Sequence, residues 1–171
     1  MFEDPPSRNL SKHNLAVEVL RKTGNLRLTA FGNSMLPTLF PGDILAIKAE
    51  PLAEIRAGDV VLFARHDRFF IHRTLRRRQE NSETMLLTRG DAMPQADQPV
   101  TANELLGKIV SFQRGTHPAV AVPGCSIFRR MLGLLLAYSG GLRSLVLRWH
   151  ERHLDGAAPQ TEYASGDASP R

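Results

Sequence analysis

Ser34 is the residue whose setting most invites chemistry. The segment Phe31-Gly32-Asn33-Ser34-Met35-Leu36-Pro37-Thr38-Leu39-Phe40-Pro41-Gly42-Asp43 follows an alternating stretch and is bent by two glycines and two prolines. A nucleophilic serine needs such a place, with its hydroxyl exposed and backbone N–H groups nearby to receive an oxyanion. The same residue types also suit a turn serine that caps a short helix. Taken alone, the segment leaves both readings open. A serine hydroxyl is a weak nucleophile, so catalysis also requires a base, and neutral imidazole is suited to that task near neutral pH. His72 lies in the apolar run Phe69 to Arg73 and, by itself, reads as readily as an ordinary half-buried strand histidine.

Five short motifs change the weighing. Ser34-Met35, Pro37-Thr38-Leu39 and Gly42-Asp43 resemble, in order and spacing, the box around the catalytic serine of type I signal peptidases and their relatives, the self-cleaving SOS repressors. Gly58-Asp59-Val60-Val61-Leu62-Phe63 is similar to a second element of that superfamily, and Phe70-Ile71-His72-Arg73 to a third. Bacterial signal peptidases usually carry lysine where His72 falls; the archaeal and endoplasmic-reticulum type carries histidine followed by arginine. Leu87-Thr88-Arg89-Gly90-Asp91, with Asp97 beyond it, resembles the Thr-Lys-Gly-Asp segment and later aspartate of the histidine type, and Leu106-Gly107-Lys108-Ile109-Val110 the closing strand. The resemblance spans about residues 25–112.

The resemblance implies a site of Ser34, His72 and an aspartate. A carboxylate on the second ring nitrogen would fix the tautomer and steady the imidazolium. Asp97 matches the triad position. Asp91 matches the Gly-Asp pair that more often supports the site, and either could be a turn carboxylate bonded to its own backbone. The Ser34 N–H is the expected oxyanion donor. The chain departs from the family at Gly32, where many bacterial members have a serine whose hydroxyl helps hold the oxyanion, and at Ala92 and Met93, which replace asparagines. Lys48 falls in the strand after the serine box and reads as a solvated strand-end lysine. His13, His66 and His117 have no comparable context and read as surface residues. No metal or organic cofactor is implied.

These groups must be held by a frame. The pattern predicts a mainly β fold: a small β-rich catalytic domain with one N-terminal helix and a C-terminal helical extension. Ser11 can cap a helix over Lys12–Lys22, stopped by Gly24. Leu26, Leu28 and Ala30 alternate with polar residues, the period of a half-buried strand. Further strands are expected at Asp43–Lys48, Asp59–Ala64, Phe69–Arg77, Thr84–Thr88 and Leu105–Phe112, with a polar loop from Arg78 to Glu83. The predicted organisation is a helical segment over 1–24, a peptidase domain over 25–122, an amphipathic helical extension over 123–154 and a disordered acidic tail over 155–171.

Composition narrows the function classes. The chain has 171 residues and a net charge of +5, long enough for a core without staples. Its single cysteine, Cys125, excludes an internal disulfide framework, and no zinc-like spacing occurs. The polar start and the lack of a run of ~18 apolar residues predict neither a secretory signal nor a spanning helix, hence a cytoplasmic or membrane-peripheral protein. Met131 to Leu142 is uncharged and flanked by Arg129, Arg130, Arg143, Arg148 and Trp149. That layout predicts peripheral membrane contact through residues 126–153, or a helical hairpin packed on the β domain. Arg76-Arg77-Arg78 reads as a solvated hairpin edge, and no nucleic-acid partner is expected. The expected function is a serine endopeptidase acting on an extended peptide or precursor segment with small residues at the cut. The alternatives are a maturation protease for one precursor, a self-cleaving repressor and a non-catalytic binding module.

Overall fold

The computed structural model describes residues 6–80, 82–124, 144 and 148. Helix α1 (Pro6–Thr23) starts earlier than expected, so Ser11 lies inside it and is not its cap. Proline is at home in a first helical turn, where its missing N–H has no intrahelical partner to lose. The fold buries Ala16 and Leu20 and leaves Leu15 exposed. The Gly24 N–H donates to Leu20 O, and the chain enters the sheet at once.

The sheet is antiparallel throughout. Its strands are β1 (Asn25–Thr29), β2 (Ile44–Lys48), β3 (Val60–Arg65), β4 (Arg68–Glu80), β5 (Glu83–Arg89), β6 (Leu105–Gln113) and β7 (Val120–Ala121), with a 3-10 turn at Leu52–Glu54. The order is β1-β2-β6-β3-β4-β5, with β7 on β6. The architecture is thus mainly β, with one N-terminal helix. β7 is too short to leave a period in the sequence. The segment expected as a loop from Arg78 is instead strand as far as Glu80, paired with Glu83. Nor is the arginine run simply a solvated edge: the Arg77 guanidinium donates to the carbonyls of Ile55 and Ala53.

β3 shows how the sheet makes two cores. Its residues Val60 to Phe63 are all buried, and the two-residue period sends them to opposite sides. Val60 and Leu62 pack with Leu20, Met35, Leu39, Leu45, Ile47 and Ile109. Val61 and Phe63 pack with Ile55, Leu86 and Val100. A strand buried on both faces reads as a continuous apolar run. Two strand margins matter for the site. Among the described residues β1 pairs only with β2, and the first half of β4, Arg68 to His72, pairs only with β3, because β5 joins at Arg73.

The helical extension and membrane-facing surface expected over 123–154 lie outside the described residues, apart from residues 123 and 124 and the helical Ser144 and Arg148; the tail from 155 lies wholly outside them. Among the described residues, no helix is long and apolar enough to cross a membrane.

Candidate active site

Ser34 sits in the turn that follows β1, flanked by Met35 and Leu36, whose side chains are buried. The turn is tied at both ends. The Thr38 and Leu39 N–H groups donate to Met35 O at 2.9 and 3.0 Å, and the Ala30 N–H to Asp43 O at 2.8 Å. Asp43, fully buried, accepts the Phe40 N–H and takes a two-point pair from Arg114 at 2.8 and 2.7 Å. The Arg114 guanidinium also lies 4.3 Å above the Phe40 ring. This clasp was not visible in the sequence, because it joins residues 71 positions apart. Gly32 has φ = +78°, a conformation that side-chain-bearing residues adopt only with strain.

The Ser34 carbonyl is fixed by the loop that follows β5. It accepts the Ala92 N–H at 2.8 Å. Gly90 lies so close that a Cβ there would stand 2.6 Å from Ser34 O and 3.1 Å from Ser34 Cβ. Glycine at 90 is therefore a condition of the serine's position.

His72 lies on β4 opposite Val61 and is buried. Its ring meets the Phe63 ring edge-on at 6.0 Å, with Phe70 at 6.3 Å. Nε2 is 3.1 Å from Ser34 Oγ, and Nδ1 is 2.7 Å from Asp97 Oδ2. An ionised carboxylate can only accept, so Nδ1 carries the proton in this pair. In the neutral ring Nε2 is then the acceptor for the Ser34 hydroxyl. Asp97 has a second donor, the Thr88 hydroxyl at 2.7 Å, and its own N–H donates to Thr88 O at 2.9 Å. Thr88 is fully buried, so this end of the line is anchored in the core.

Asp91 does not share that arrangement. Arg73, 3% exposed, grips it through Nε and Nη2 at 2.8 and 2.7 Å, and Thr38 Oγ1 donates to it. Arg73 also donates to Gly58 O and Pro123 O. The pair thus joins β4, the serine turn and the loop after β5. Thr88 and Arg73 stand inside motifs already singled out, but their partners could not be read there.

The Asp97 loop has its own fastening. Arg65, at the end of β3, forms a two-point pair with Glu104 and donates to the carbonyls of Gln98 and Pro99. The hydrogen bond from Arg65 holds the Glu104 carboxyl down at about 2, helped by the Thr101 N–H and against a smaller opposing effect of burial. The same pair raises the Arg65 guanidinium above its ordinary value. Lys48 is exposed, pairs with Glu50 at 3.5 Å and lies across from Asn25 and Lys108 rather than at Ser34.

A cleft of about 410 Å³ opens beside Ser34 and His72, between the free margin of β1 and that of β4. Leu28, Leu39, Phe69, Ile71 and Met93 give it apolar walls, and Gly32 and Asn33 form part of its mouth. A larger hollow, about 730 Å³, lies near Gly58 and Thr74; its Asp59 and Lys108 already pair with each other at 2.8 Å. The smaller one adjoins the Ser34, His72 and Asp97 line.

A search of curated proteins finds no match. A scan against protein-family models matches Peptidase S24-like over residues 8–110. The matched span is more than half of the 171 residues and takes in the serine turn, β4 and the loop bearing both aspartates. The chain belongs to the Peptidase S24-like family.

Proposed function

We propose that the protein is a serine endopeptidase with a Ser34–His72–Asp97 site of the histidine type, cutting an extended segment of a precursor or signal-like peptide. The observation that carries this reading is the hydrogen-bonded line from Asp97 Oδ2 through the His72 ring to Ser34 Oγ, opening on an apolar cleft. Ser34 Oγ attacks the scissile carbonyl while Nε2 takes its proton. Asp97 stays ionised and stabilises the imidazolium. The Ser34 N–H faces the developing oxyanion. The imidazolium then protonates the leaving amine as the C–N bond breaks; a water, giving its proton to the same Nε2, attacks the acyl carbon, and the ester bond breaks as that proton passes to Ser34 Oγ. An extended substrate has two open strand margins to lie against, and main-chain hydrogen bonds would hold it in register.

Active-site labelling tests the reading. A fluorophosphonate should modify wild-type protein at Ser34, leave Ser34→Ala unmodified and react far more slowly with His72→Ala. Equal labelling of Ser34→Ala, or its retention of wild-type turnover, would remove the assignment. A non-catalytic module would give no labelling in any of the three.

A further inference from the structure

We infer that Arg68 makes the cleft selective for a substrate with an acidic side chain about four residues from the scissile bond. The inference rests on the peptidase reading and adds a specificity to it. Arg68 is the one charged side chain among the cleft-lining residues. It opens β4 four residues before His72, and it is exposed. The strand period sends Arg68, Phe70 and His72 to the same face. At about 3.3 Å per residue, Arg68 stands ~13 Å along the strand from the histidine.

The neighbouring arginine is engaged otherwise. Arg65, directly opposite Arg68 in the β3–β4 hairpin, is committed to Glu104 and two carbonyls. Among the described residues no carboxylate pairs with Arg68, Asp67 beside it included. A peptide extended along β4 has nearly the same rise per residue as the strand, so register carries over. With its scissile carbonyl at Ser34, a residue about four positions away comes level with Arg68. A carboxylate there meets an unmatched guanidinium, whereas a lysine or arginine meets a like charge. The apolar walls lower the local dielectric and strengthen both effects relative to open water. The partner is thus an acidic peptide segment, on whichever side of the cut occupies the cleft.

A positional-scanning library of internally quenched peptides, with alanine flanking the cut, tests this on the full chain. Each remaining position carries Ala, Asp, Glu or Lys in turn. The expected result is about a fivefold gain in kcat/KM for Asp or Glu over Ala at one position three to five residues from the cut, with Lys below Ala. The acid-to-alanine ratio should shrink in high salt, fall to about one in Arg68→Ala and invert towards lysine in Arg68→Glu. The same library, captured on the Ser34→Ala protein, reads occupancy of the cleft without chemistry. Acid enrichment there, lost when Arg68→Ala is added, upholds the inference even where no peptide is cut. Failure of the peptidase reading would appear as absence of cleavage by the wild type. Failure of this inference would appear as no acid preference in either format, or a preference that survives Arg68→Ala.

Discussion

Asp91 and Asp97 stand six residues apart in the loop after β5, yet the fold assigns them opposite surroundings. Asp91 faces a permanent cation: Arg73 holds both of its oxygens, and the pair is almost wholly buried. Among the described residues Asp97 takes side-chain hydrogen bonds from neutral donors alone, Thr88 and the His72 ring, while the nearby Arg65 guanidinium acts on it only through space and spends its own bonds on Glu104 and two carbonyls. A carboxylate already matched by a guanidinium has little left to offer a charge that appears during a reaction. One held by neutral donors keeps its charge available for an imidazolium. In the proposed mechanism, what separates a supporting carboxylate from an orienting one is therefore whether a guanidinium already hydrogen-bonds it.

Four substitutions sharpen or break this contrast. Asp97→Asn should have the largest effect, a loss of turnover of about 10⁴, because asparagine leaves His72 free to take the wrong tautomer. Thermal melting should show the variant folded; near-normal turnover would reduce the site to a Ser34–His72 dyad. Asp91→Asn should act mainly on folding. It removes the carboxylate charge that both Nε and Nη2 of buried Arg73 meet, and breaking a buried pair typically costs about 3–5 kcal/mol. A denaturant midpoint measures that loss, and turnover per folded molecule should fall less than in Asp97→Asn. The reverse order, a folded Asp91→Asn with the greater loss of turnover, would exchange the two roles.

Gly90→Ala probes the contact between the aspartate loop and the serine. Its Cβ would stand 2.6 Å from Ser34 O, so the serine turn must shift. A displacement near 1 Å is worth about 10² in rate, and fluorophosphonate labelling should slow by a similar factor. The smallest effect concerns Arg65 and Glu104. The Glu104 carboxyl lies at about 2 in the folded state against an ordinary 4.5. A depressed folded value means stability that is present above 4.5 and disappears as the pH falls through 2. The carboxylate is 24% exposed, so after screening the contribution is about 1 kcal/mol or less. Glu104→Gln should therefore melt below wild type at pH 7, with the gap closing by about pH 2. A gap that persists in acid would assign the loss to packing of the Asp97 loop rather than to charge.

The sequence by itself determined much of this protein. Period-two alternation in residues 26–30 and the unbroken apolar run of β3 mark strands from composition alone, since each residue's environment is set by its immediate neighbours along a strand. The serine box and His72 were legible because motif spacing survives in one dimension. The helix start was misread at Ser11, where a good cap competed with a proline that suits the first turn. β7 and the tip of the β4–β5 hairpin, Arg78 to Glu80 with Glu83, were missed because pairing with a neighbouring strand, not local pattern, makes them strands. Both aspartates were visible, and so was the arginine after His72. The tertiary structure alone decided which carboxylate met which donor, because hydrogen-bond partners are selected by three-dimensional proximity: Arg73 reaches Asp91 across 18 residues, His72 reaches Asp97 across 25, and Arg114 reaches Asp43 across 71.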